Sequence, residues 1–305
     1  MKKYLKYEDH GKSRVFIITS VSQFIELTDW LFSDDKKIFR GQACDWPLVP
    51  SVGRNILVSD FLVSERQIID EFKRESIPYL DIIPKDYWQW LAVAQHNRLP
   101  TRLLDWTENP LVALWFAVKD PAIVNKPGIV WTFNYEDTEA IFSSENQPEP
   151  FDIKQTQVYF PEHVFTFIQA QSGIFTVHHK EGDNPGRFPS MEEEIEYSEY
   201  RLAKIEIPSE CFKSIRYDLL KVGVNSASLF PGLPGLVDRI RYKHMWSKDE
   251  IKQISPDWME IRDQEGHLLF KYSPTTNQIQ IKHKYMGAPR TVDLNTRQVK
   301  IEKDI

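Results

Sequence analysis

The segment from Asn109 to Val118, Asn-Pro-Leu-Val-Ala-Leu-Trp-Phe-Ala-Val, constrains the fold more than any other. Asn109 is a good N-cap, and Pro110 suits the first helical position. The eight residues from Leu111 to Val118 are apolar nearly all round, so this helix is buried and its N-terminus is held inside the fold. The residues leading into it are the opposite in character. Gln95-His96-Asn97-Arg98-Leu99-Pro100-Thr101-Arg102-Leu103-Leu104-Asp105-Trp106-Thr107-Glu108 is rich in polar groups and delivers them to the start of a buried helix.

A second segment has a similar juxtaposition. Ile38-Phe39, preceded by Lys36-Lys37, reads as the end of a buried strand, and Arg40-Gly41-Gln42 follows at once. Glycine there admits close approach of backbone or ligand, or a positive φ. Arg40 would then project from a rigid strand end as a planar donor fork suited to phosphate or carboxylate. The alternative is a surface arginine at a turn.

Composition narrows the classes. The chain has 305 residues, enough for one large domain or one domain plus an appendage, and 41% apolar content is ample for a core. With 38 Lys+Arg against 44 Asp+Glu, the net charge of −6 argues against a general nucleic-acid binder. Two cysteines, Cys44 and Cys211, are too few for a disulfide framework or a thiolate metal site, and a cytoplasmic location is expected. Met1 to Lys6 has no apolar stretch behind its lysines, so no signal peptide is expected, and no run reaches the length of a membrane span. His178-His179 has the wrong spacing for a helical metal face, so no metal is expected.

Periodicity gives a coarse order of elements. A strand is expected over Arg14 to Ile18, then a helix capped by Ser20 or Ser22 and carrying Phe24, Leu27, Trp30 and Leu31. Further helices are expected after Ser64 and through Trp88, Leu91, Ala92 and Gln95. Strands are expected over Gly128 to Phe133, Val158 to Phe160, Ile174 to Val177 and Leu202 to Ile207. Pro208-Ser209 opens a helix towards Leu220, and Pro231 to Gly235 reads as a turn before a short helix over Leu236 to Tyr242. Beyond about Lys248 the pattern changes to short alternating runs punctuated by Gly, Pro and Asn, which reads as a β-meander. The expected division is therefore a main domain over 1–248 and a C-terminal β-hairpin module over 249–305, whose strand edges favour a homo-oligomer.

The motifs together resemble the FRG domain family, named for Phe-Arg-Gly. The resemblance rests on Phe39-Arg40-Gly41-Gln42, on Trp46-Pro47-Leu48-Val49-Pro50-Ser51, on the block from Gln95 to Asn109, on Gln171-Ser172-Gly173-Ile174-Phe175-Thr176 and on Ser228-Leu229-Phe230-Pro231, and covers roughly residues 14 to 245. A more distant pattern resemblance is to ADP-ribosyltransferases of the arginine-bearing branch. Phe39-Arg40-Gly41 looks like their first strand, whose arginine helps hold NAD. Leu104-Asp105-Trp106-Thr107 before the apolar helix looks like the second, where a Ser-Thr-Ser run is expected, and Gln171 looks like the group near the scissile bond. The resemblance departs at two of three hydroxyl positions, and at Gln171, which cannot stabilise positive charge as a carboxylate would.

This second resemblance implies an α+β fold with a split, mostly antiparallel sheet flanked by helices, and NAD as substrate. It implies catalytic roles for Arg40, Thr107 and Gln171, with Arg40, Gln42, His96, Thr101, Arg102, Asp105 and Trp106 binding the nucleotide in one pocket. Thr107 would sit where backbone amides favour an anion, and Trp106 would stack on a flat ring. Structural readings stand beside these: His96 as a cap or core histidine, Asp105 as an ion-pair partner of Arg102, Thr107 as a helix cap, and Gln171 as a partner of backbone groups. Glu199 is the acidic residue placed to supply a missing carboxylate. Two functions follow as expectations. One is an ADP-ribosyltransferase-like enzyme acting on a protein or nucleic-acid acceptor, suited to a toxin or an anti-phage defence protein. The other is an inactive nucleotide- or peptide-binding module.

Overall fold

The computed structural model of the protein describes residues 6–9, 14–31, 36–54, 65–122, 126–144, 149–161, 170–182, 187–195, 201–245 and, further on, the strand residues between 259 and 301. It divides into two compact units, Met1–Glu250 and Ile251–Ile305.

In the first unit the strands are β1 (Lys6–Asp9), β2 (Arg14–Ile17), β3 (Lys37–Gln42), β4 (Leu103–Thr107), β5 (Gly128–Asn134), β6 (Ala140–Ile141), β7 (Gln157–Tyr159), β8 (Gly173–Val177) and β9 (Leu202–Ile207). The helices are α1 (Val21–Leu31), α2 (Ser51–Arg54), α3 (Glu65–Ser76), α4 (Tyr87–His96), α5 (Pro110–Val118), α6 (Met191–Glu194), α7 (Phe212–Lys221), α8 (Ser226–Leu229) and α9 (Leu233–Met245). The unit is α+β. Its described strands form one sheet in the order β1-β2-β9-β5-β3-β4-β8-β7-β6. Pairing is antiparallel except between β2 and β9 and between β6 and β7.

The sheet is weakest at its centre. β3 runs beside β5 over six register pairs, from Lys37↔Asn134 to Gln42↔Ile129. β4 runs beside β8 over five, from Leu103↔Val177 to Thr107↔Gly173. Between β3 and β4 there is a single register pair, Phe39↔Thr107. Beyond it the two strands part, and Arg40, Gly41 and Gln42 have no ladder partner on the β4 side.

The core follows from strand alternation. On one face Phe39 and Val130 pack with Phe24 and Leu27 of α1, Ala113, Leu114 and Ala117 of α5, and Phe212, Ile215 and Leu219 of α7. On the opposite face Ile38, Leu104, Trp106, Ile129, Trp131 and Phe133 form a second cluster, closed by Leu48 and Met191. α4 covers the outer half of the sheet through Trp88 and Leu91 against Leu103, Phe175 and Val177. The buried apolar helix is α5, capped by Asn109, whose side chain accepts from the Leu111 N–H, with Pro110 in the first turn.

The elements expected from sequence follow in that order, with two differences, and of the two candidate caps of α1 the structure selects one. β1 was not legible; it pairs with β2 through the register Lys6↔Ile17 to Asp9↔Arg14. α9 begins at Leu233, inside the stretch read as a turn. Proline is tolerated in a first turn, and a side chain at Gly235 would meet the Phe230 carbonyl oxygen at 2.1 Å, so this glycine serves packing. Ser20 caps α1, accepting from Gln23 N at 3.2 Å.

The second unit contains β10 (Met259–Arg262), β11 (Leu268–Ser273), β12 (Gln278–Ile281), β13 (Arg290–Asp293) and β14 (Gln298–Ile301), paired antiparallel in chain order. Among the described residues no helix is long and apolar enough to cross a membrane.

Candidate functional site

The site begins where β3 leaves β4. Alternation puts Ile38, Arg40 and Gln42 on one face of β3, and Phe39 and Gly41 on the other. Gly41 is fixed by packing: a Cβ there would lie 1.9 Å from the Ala113 carbonyl oxygen and 2.7 Å from the Ala117 nitrogen. The backbone that approaches is therefore α5. Its close contact locks β3 in place and holds the neighbouring arginine at a fixed point.

Arg40 turns into the gap between the strands. Its Nη1 donates to the Asp105 carbonyl oxygen at 2.6 Å, and the same atom lies 3.8 Å from Asp105 Oδ2. The guanidinium thus partners a β4 carbonyl that β3 no longer reaches. The Arg40 side chain is only 15% exposed, whereas that of Asp105 is 59% exposed. Burial pushes the Arg40 pKa down to about 10, with Asp105 opposing and Arg54 adding to the fall. Two cations and one exposed carboxylate therefore share the opening.

Asp105 is held from the α4 side. Gln95 Nε2 donates to Asp105 Oδ2 at 2.8 Å, and Gln95 Oε1 accepts from Thr101 Oγ1 at 2.7 Å. The Thr101 N–H in turn donates to Ser51 Oγ at 3.1 Å, which ties α2 to the start of β4. Arg54, at the end of α2, donates through Nε to the Val49 carbonyl at 2.7 Å. Its pKa is lowered by burial and raised by Asp105. His96 is exposed at the end of α4; burial lowers its pKa and Asp105 raises it.

Gln42 departs from ordinary packing. It is 4% exposed, yet neither its Oε1 nor its Nε2 has a hydrogen-bond partner. Arg40 Nε is also unpartnered. Buried amides are almost always satisfied, and each orphaned group costs about 1–3 kcal/mol. These two side chains are adjacent on one face of the strand that opens the sheet.

The other residues singled out from sequence sit in a closed framework. Arg102 is buried and pairs with Glu65 through Nη2–Oε2 at 2.7 Å and Nε–Oε2 at 2.8 Å, and its Nη1 donates to the Pro150 carbonyl at 2.8 Å. The Arg102–Asp105 pair is therefore replaced by Arg102–Glu65 and Arg40–Asp105. Asp105 points to the gap, while Arg102 turns into the protein. Trp106 is buried in the central cluster, and its Nε1 donates to Thr176 Oγ1 at 3.0 Å. Thr176 Oγ1 lies 3.0 Å from His178 Nε2. Burial, then the charge of Arg40 among others, pushes the His178 pKa down to about 3.

Thr107 and Gln171 meet at the start of α5. Thr107 Oγ1 donates to the Gln171 carbonyl at 2.6 Å and accepts from the Asn109 N–H at 3.1 Å. Gln171 Nε2 donates to the Leu229 carbonyl at 3.1 Å. Ser172, beside it, has φ of 45°, a strained conformation for serine. Thr107 is two residues along β4 from Asp105, roughly 7 Å. The structure thus gathers Arg40, Gln42, Thr101 and Asp105 around the gap with Arg54 and Gln95, and Thr107 and Gln171 one step further on. Glu199 lies outside the described residues.

Arg54 and Gln95 went unselected in the sequence. Gln95 opens the polar block and is spaced ten residues from Asp105, which gives no local signal. Arg54 follows Ser51 by three residues, and only the fold returns that turn to β4. Among the described residues, no three His, Cys, Asp or Glu side chains gather to hold a metal.

No curated protein and no solved structure matched the chain. One family model did, over residues 35–126, a narrower span than the roughly 14–245 carried by the motifs. That span includes β3, α4, β4 and α5, with Arg40, Gln42, Asp105 and the glycine that packs on α5. The model that matches residues 35–126 is that of the FRG domain.

Proposed function

We propose that the gap between β3 and β4 is the mouth of a nucleotide site and that the chain is an ADP-ribosyltransferase-like enzyme using NAD. The observation that carries this reading is the set of uncompensated donors at the mouth. Arg40 keeps an unpartnered Nε, the Gln42 amide has no partner at all, and Arg54 adds a second guanidinium. Guanidinium forks match the oxygens of a pyrophosphate. Gln42 supplies both an amide donor and an amide acceptor, which fits the rest of a dinucleotide.

In this reading the central split of the sheet is the binding cleft of an ADP-ribosyltransferase-like fold. Bound NAD supplies a nicotinamide–ribose bond whose cleavage leaves positive charge on the sugar. Asp105 is the exposed carboxylate at the mouth, oriented by Gln95 and Arg40, and stabilises that charge. Thr107 and Gln171 act by holding the 171–173 turn against α5. Such an activity suits a toxin or an anti-phage defence protein, with the C-terminal β-hairpins as an appended module for self-association.

One observation favours the second reading, a nucleotide-binding module without turnover. The Gln171 amide and the Thr107 hydroxyl are both occupied by backbone groups, so neither is poised for chemistry. Incubation with NAD and detection of free nicotinamide separates the two. The enzyme reading expects nicotinamide release that Arg40→Ala and Asp105→Asn each reduce by about tenfold or more. Binding of NAD with no release leaves the module; no binding of NAD or ADP-ribose overturns both.

A further inference from the structure

On the reading of the β3–β4 gap as a nucleotide site, on which this rests, we infer that the Asp105 carboxylate is an internal stand-in for a ligand oxyanion. It screens the Arg40–Arg54 pair in the free protein and gives way to a pyrophosphate group when the ligand binds, so that it sets the affinity of the site.

The fold holds two cations at the gap on rigid supports. Arg40 stands on β3, which the contact of Gly41 with α5 locks in place, and its Nη1 is spent on the Asp105 carbonyl. Arg54 stands on α2, which is tied to the start of β4. The Val52 N–H donates to the Thr101 carbonyl at 3.3 Å, and the Thr101 N–H donates to Ser51 Oγ at 3.1 Å. A Cβ at Gly53 would lie 2.9 Å from both Phe188 Cβ and Val49 Cγ1, so α2 is closely packed as well. Arg54 Nε donates to the Val49 carbonyl, which fixes the root of a guanidinium whose residue is exposed. The Arg54 charge lowers the Arg40 pKa. Two like charges held this way repel unless an anion lies between them.

The protein's own anion is too small for the task. Among the described residues, Asp105 is the acidic charge that bears on both arginines. One carboxylate against two guanidinia leaves a positive charge over. The carboxylate is also loosely held. Arg40 Nη1 lies 3.8 Å from Asp105 Oδ2, beyond hydrogen-bond distance, and the bond to Oδ2 comes instead from Gln95 Nε2 at 2.8 Å. The Asp105 side chain is mostly exposed, and an ion pair this open contributes little, so displacing it costs little. A pyrophosphate carries more charge and offers oxygens to both forks. It would arrive beside the unpartnered Arg40 Nε and Gln42 amide. Asp105, still tethered to Gln95, then stands next to the ligand, where its charge opposes the phosphate and limits affinity.

Isothermal titration of the full-length protein with inorganic pyrophosphate in metal-free buffer tests this apart from any turnover of NAD. The expected result is that Asp105→Asn binds pyrophosphate about tenfold more tightly than wild type, and Arg54→Gln about tenfold more weakly. Both residues are exposed, so both variants melt close to wild type. Glu108→Gln removes the same charge from an exposed position just past the end of β4, and changes the affinity by less than about twofold. Unchanged or weaker binding by Asp105→Asn, an equal gain in Glu108→Gln, or no binding by either wild type or Asp105→Asn overturns the stand-in role, even where the protein releases nicotinamide from NAD. A gain confined to Asp105→Asn upholds it, even where NAD is neither bound nor cleaved, in which case the failure belongs to the nucleotide reading and the oxyanion is free pyrophosphate.

Discussion

The two halves of the motif-bearing region treat polar groups in opposite ways. Along β4 and β8, away from the gap, every polar side chain singled out by the motifs has an internal partner: Arg102 has Glu65, Trp106 has Thr176, Thr107 and Gln171 hold backbone carbonyls. At the end of β3, past its single register pair with β4 at Phe39, the Gln42 side chain has none and Arg40 keeps one donor idle. The closed half is an arrangement that folding selects, because an unpaired buried group costs stability. The open half keeps that cost, and a group kept at a cost is where a ligand is to be sought.

The contrast breaks most sharply at the closed half. Arg102→Ala leaves Glu65 buried without its cation and should destabilise the protein by about 3–5 kcal/mol. Urea unfolding would measure it; a loss under about 1 kcal/mol would mean that the framework is not structural. Gly41→Ala comes next. A methyl group 1.9 Å from the Ala113 carbonyl oxygen forces β3 and α5 apart, at about 3 kcal/mol. Adjacent residues of one motif would then divide cleanly, glycine for packing and arginine for the ligand.

A smaller effect concerns acid. Folded His178 stays neutral down to about pH 3, against an ordinary value of 6.5. Below 6.5 the unfolded chain takes up a proton that the folded chain refuses, so stability falls as pH drops through that window and is regained as pH rises. The loss between pH 7 and pH 5 should be about 2 kcal/mol, and His178→Gln should remove that increment from paired urea melts at the two pH values. An unchanged slope would place the acid sensitivity elsewhere. The smallest effect belongs to the open half: Gln42→Met removes two unpartnered polar atoms at similar volume and should leave the melting temperature unchanged or raise it.

What was legible in the sequence was what local chemistry dictates. The Asn109-Pro110 cap, the buried α5 and a strand at Ile38-Phe39 were read from neighbouring residues alone, but that strand does not stop before Arg40 and Gly41 as expected: it runs on to Gln42 through its pairing with β5. The partners of the polar block were not. Glu65 lies 37 residues before Arg102 and carries no periodic signal that would join them, so Asp105, three residues away, was the nearer candidate. Only the parting of β3 from β4 shows that Asp105 faces Arg40 across a gap. The reason for Gly41 was equally distant, since the backbone it admits belongs to a helix some 70 residues on. The α9 start at Leu233 was hidden because Pro and Gly signal turns as well as first-turn and close-packed helical positions.

The account turns on Arg40 being held in place by the fold while its charge is kept for a ligand. Calorimetric titration of wild type and Arg40→Ala with NAD and ADP-ribose, alongside thermal melts of both, tests this most directly. The predicted result is a melting temperature nearly unchanged and a loss of affinity of about tenfold to a hundredfold for both ligands. Equal affinity in the two proteins, or a variant that melts far earlier than wild type, would contradict it and return Arg40 to the structural half of the molecule.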